Sequence, residues 1–80
     1  CGAVEAAIKH DPDGHIKYIT DDIREAIKEE KDEYIATCLN VKHSVKVIED
    51  NTDMKLLEEK GLEVIGAVYH LEDGHVEFLE

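Results

Sequence analysis

Leu62-Glu63-Val64-Ile65-Gly66-Ala67-Val68-Tyr69-His70-Leu71 is the stretch whose reading decides the fold. Val64, Ile65, Ala67 and Val68 are broken only by Gly66. A strand this evenly apolar predicts burial on both faces, as in a parallel sheet. Gly66 at its centre predicts close approach by another backbone or side chain. Asp73-Gly74 then supplies a strong hairpin signal. His75-Val76-Glu77-Phe78-Leu79 alternates polar and apolar, as an edge strand does. With a two-residue loop, Glu72 faces His75, Leu71 faces Val76 and His70 faces Glu77. One hairpin gives too little sheet, because two strands alone are marginal in water. A further strand is therefore expected on the open side of residues 62–71.

Upstream of the hairpin the chain reads as helices. Residues 2–9 place Val4, Ala7 and Ile8 at helical spacing. Asp11-Pro12-Asp13-Gly14 predicts a type I turn. Residues 16–30 carry a stripe of Ile16, Ile19, Ile23, Ala26 and Ile27, with Thr20 a candidate N-cap for a restart. Residues 33–50 carry Tyr34, Cys38, Val41, Val45 and Ile48 on one face. Residues 52–60 predict a short helix capped by Thr52 or Asp53, with Leu56 and Leu57 inward and Gly61 as its stop. The expected class is thus α/β: helices followed by a C-terminal hairpin, one domain over residues 1–80.

Composition excludes several classes of function. The chain has 80 residues, too few for more than one ordinary domain. Chains this small usually rely on a disulfide, a metal or a partner. Nine Lys and Arg stand against 20 Asp and Glu, a net charge of −11. That balance speaks against nucleic acid and against anionic membranes; its plainest reading is a solvated surface. No apolar run reaches the roughly 18 residues that a membrane helix needs, and the first residues show no secretory pattern. Two cysteines, Cys1 and Cys38, are too few for a disulfide framework and read as reduced thiols in a cytoplasmic protein. Cys38 lies within an apolar stripe and reads first as a small core residue.

Three stretches together resemble the β-class carbonic anhydrases. Cys1-Gly2-Ala3-Val4 is similar to the end of that family's H-x-x-C-G-A-V motif. Gly14-His15-Ile16, with Ile19 and Ile23, is similar to its GHI segment and the helix that follows. Asn40-Val41, Gly61, Val64 to Tyr69, and Leu71, Gly74, Val76, Phe78 and Leu79 resemble its closing helix and hairpin. The resemblance implies the C-terminal half of a domain that begins at the second zinc cysteine. It also implies a mainly parallel sheet, in which the strand just before Cys1 lies beside residues 62–71. The implied activity is interconversion of carbon dioxide and bicarbonate by zinc-bound hydroxide, in a homodimer or higher assembly. Cys1 is the implied metal ligand, and Gly2 is implied to lie beside the metal, where its backbone could approach substrate. The other ligands and an Asp–Arg pair are implied to come from a missing N-terminal half or a second subunit, which leaves the chain alone inactive.

The residues give independent but thinner support for a metal. A cysteine at a helix start is favoured as thiolate by the helix dipole and by the free N–H groups. His10 would stand roughly 13 Å from Cys1 if the intervening helix is straight. His10, His15, His43, His70 and His75 show no H-x-x-x-H pairing, and read as surface histidines. His70 and His75 are expected to pair with Glu77 and Glu72. The rival to an enzyme is a non-catalytic helical and hairpin module that pairs with another chain along the edge of residues 62–71.

Overall fold

The structure, a computed structural model, describes residues 1–9, 14 and 16–79. It comprises α1 (Gly2–Lys9), α2 (Ile16–Ile27), α3 (Glu33–Glu49), α4 (Thr52–Glu59), β1 (Gly66–Tyr69) and β2 (Val76–Leu79). Helices followed by a hairpin is the order that the sequence predicts. The predicted turn at residues 11–14 lies outside the described residues, except for Gly14. The chain forms two compact units, Cys1–Asn40 and Val41–Glu80, and the boundary falls within α3.

The core of the first unit is Val4, Ala7, Ile23, Ile27 and Ala36, with Ala3, Ile8 and Leu39 packed against it. Burying such side chains stabilises the unit by about 25 cal/mol per Å² of apolar surface. The buried line on α2 is Thr20, Ile23 and Ile27, while Ile16 and Ile19 are exposed. The predicted stripe is therefore correct only in its second half. Thr20 caps nothing. It is fully buried inside α2, and its hydroxyl donates to the Lys17 carbonyl at 3.2 Å, which replaces water for the buried oxygen.

α2 ends three residues short of the predicted helix over residues 16–30. Lys28 adopts φ 57°, the left-handed conformation that stops a helix. The Glu30 carboxylate then accepts from the Lys31 and Asp32 N–H groups. Asp32 begins α3 by accepting from Ile35 N at 2.9 Å. On α3 the fully buried residue is Ala36, which lies off the predicted stripe. Tyr34 and Ile48 are exposed, and Cys38, Val41 and Val45 are half-buried.

In the second unit, Asn51 caps α4, in place of Thr52 or Asp53. Its side-chain oxygen accepts from Asp53 N and Met54 N. Gly61, at φ 107°, ends the helix as predicted. Gly61 N donates to Glu58 O and Leu62 N to Leu57 O, each at 3.0 Å, which is the Schellman pattern. Leu56 and Leu57 do not face inward; both are exposed, and no residue of α4 is buried.

The hairpin is antiparallel, with Gly66 opposite Leu79, Ala67 opposite Phe78, Val68 opposite Glu77 and Tyr69 opposite Val76. β1 is thus shorter than residues 62–71. The loop has four residues, Leu71 to Gly74, because His70 N donates to His75 O and Gly74 N donates back to His70 O. The predicted pairs are displaced by two residues, but every side chain keeps its face, since the side-chain period of a strand is two. Burial along β1 alternates: Gly66 and Val68 are buried, Ala67 and Tyr69 exposed. The predicted burial on both faces does not occur among the described residues.

Gly66 makes the predicted close approach. A Cβ there would lie 2.6 Å from Val41 Cγ1 and 3.1 Å from Val45 Cγ2. Gly66→Ala is therefore expected to lower stability by about 1–3 kcal/mol through overpacking. In urea titrations Val41→Ala should recover part of that loss, giving a coupling energy of opposite sign to the single effects. Simple additivity of the two substitutions would show that this contact does not govern the hairpin.

Candidate functional site

Cys1 stands where the sequence places it, at the N-terminus of α1. Its carbonyl accepts from Glu5 N at 3.0 Å, the first bond of that helix. The thiol is free and exposed. Gly2 opens the helix, and a Cβ built on it would have no neighbour within 4 Å. The backbone beside Cys1 is therefore open on that side. Val4 and Ala7 hold α1 against Ile23 and Ile27.

Arg24 adds a polar tie that the hydrophobic pattern does not reveal. Its Nε donates to Ala7 O at 3.2 Å, at the last turn of α1, and its Nη1 donates to Asp21 at 2.7 Å. A cation is favourable at that end of a helix. Nη2 is buried and has no hydrogen-bond partner among the described residues. The sequence signal for this residue is only the Asp21–Arg24 spacing. Lys17 also bonds Asp21, and that hydrogen bond is the main cause of the Asp21 carboxyl lying below its usual range.

The described residues do not bring a second ligand to Cys1. No group of three or more His, Cys, Asp or Glu among them could hold a metal ion. Zinc therefore does not fit these residues alone. His10 and His15 lie outside the described residues. Cys38 is half-buried and free, so the two thiols are not bridged.

The second unit carries a surface that reads as incomplete. The His70–His75 rung is hydrogen-bonded. Rungs alternate in an antiparallel ladder, so the N–H and C=O groups of Ala67 and Tyr69 point away from β2. Among the described residues no other strand pairs with that edge. The outer face of the hairpin is apolar and open: Tyr69 is 61% exposed, Val76 48% and Phe78 69%, and Ile65 continues it at 58%. An open groove of about 530 Å³ is lined by Val41, Val45, Val64, Ile65, Phe78 and Leu79, among others.

A family model described as carbonic anhydrase matches residues 1–76. The chain belongs to the carbonic anhydrase family. The match runs from Cys1 through α1 to the start of β2, and it accords with the β-class motifs at Cys1, Gly14 and the closing hairpin. No curated protein and no solved structure matches the chain significantly. No helix among the described residues is long and apolar enough to cross a membrane.

The hairpin tip of this carbonic anhydrase chain gathers the histidines that the sequence pairs with carboxylates. The His70 and His75 rings stack, with centroids 4.1 Å apart and planes 6° from parallel. His70 Nε2 lies 2.9 Å from Glu77 Oε1, so that pair forms, on a diagonal of the ladder. His75 does not pair with Glu72. Its Nδ1 lies 2.6 Å from Asp73 Oδ1, and Glu72 stands 3.7 Å from His70 Nδ1. The four-residue loop explains the exchange, because it brings Asp73 back toward His75 N as well, at 3.1 Å.

The His75 hydrogen bonds hold the Asp73 carboxyl below its ordinary value of 3.8, the side-chain bond contributing most. A depressed carboxylate stabilises the fold above its unfolded-chain pKa. That stabilisation is lost as pH falls through the folded value. His75→Ala should therefore raise the Asp73 pKa toward 3.8 in a carboxyl-carbon NMR titration. A pKa that does not move would assign the depression to another group.

Proposed function

We propose that in its complete form the protein interconverts carbon dioxide and bicarbonate, with Cys1 as one zinc ligand. The observation that carries this reading is the family match from residue 1, with an exposed thiol at the start of α1. Zinc in such an enzyme serves as the Lewis acid that activates water. Cys1 would supply one negatively charged ligand, a thiolate being favoured at the N-terminal start of α1. Gly2 leaves its side of the site free for substrate. Val4, Ala7 and Arg24 fix the direction in which α1 presents the thiol.

The remaining ligands and the Asp–Arg pair come from an N-terminal half or a second subunit. The absence of a three-ligand group among the described residues supports that division. The open edge of β1 leaves room for a further strand; that this strand is parallel, and that the protein is a homodimer or larger assembly, follows from the family resemblance alone. The cytoplasm is the compartment we assign, in keeping with two unbridged thiols.

A second reading rests on the same edge. The chain is then a non-catalytic module, and another chain adds a strand along Ala67 and Tyr69. This reading needs no metal at Cys1.

Residues 1–80 alone, with added zinc, are expected to hydrate carbon dioxide at the uncatalysed rate in stopped-flow assays. A rate well above it would overturn the proposed division of the site. In the complete protein, Cys1→Ser should lower zinc affinity by more than the roughly 10–100-fold that loss of an outer-shell partner costs. Unchanged zinc content by atomic absorption would favour the module. Sedimentation and NMR test the open edge: self-association or poorly dispersed signals are expected for the chain alone. A monomer with dispersed signals would show that no further strand is needed.

A further inference from the structure

We draw no further inference here: the strongest candidate, the apolar outer face of the hairpin formed by Ile65, Ala67, Tyr69, Val76 and Phe78 beside the unpaired edge of β1, carries nothing beyond the reading already given, because nothing in the structure shows what covers it.

Discussion

The hairpin rests on α3 through an atom that is not there. Gly66 has no Cβ, and the space that a Cβ would need is taken by Val41 and Val45. Val68, two residues further on, is buried on the same face of the strand. That settles which face is left over. Successive side chains point to opposite sides, so seating Gly66 and Val68 inward turns Ala67 and Tyr69 outward. β2 follows the register, and Val76 and Phe78 share the outward face. The exposed apolar face of the hairpin is thus the counterpart of the face that Gly66 and Val68 turn inward.

The first unit solves a different problem with similar economy. An eight-residue helix such as α1 is too short to persist alone in water. Val4 and Ala7 dock it on Ile23 and Ile27, and the Arg24 guanidinium takes the carbonyl of Ala7. These contacts run along one face of the helix from Ala3 to Ile8, and Cys1 and Gly2 precede them. Cys1 and Gly2 are exposed for that reason. A metal ligand needs that exposure, since the metal and the other ligands must approach from outside the packed face.

Much of this was legible in the residues, and what was not has particular physical causes. Helical periodicity marked α1 to α4 because an apolar stripe repeats whether or not each member is covered. It could not tell Ile16 and Ile19 from Ile23 and Ile27, because only contact with α1 separates them. Asn51, Thr52 and Asp53 are all competent caps, and geometry chose Asn51. Asp73-Gly74 marked the turn but not its length, which the bond from Gly74 N to His70 O decides. The reading of β1 as doubly buried came from composition, and composition records an environment that the described residues only half supply. Of the candidate site, the placing of Cys1 and Gly2 at a helix start was legible, and the structure shows it. The site's completion was not, because the ligands that would join Cys1 are not gathered by these residues.

The charge balance acquires a role from that uncovered strand. Ile65-Gly66-Ala67-Val68-Tyr69 carries no charged residue, and among the described residues no strand pairs with its outer edge. Such a segment is a template for edge-to-edge aggregation. At neutral pH the net charge of −11 makes copies repel one another, which keeps these edges apart. That protection fades toward the isoelectric point near 4.7, where the net charge vanishes. The surplus acid on the surface then acts as a colloidal safeguard for an adhesive edge, and mild acidification removes it.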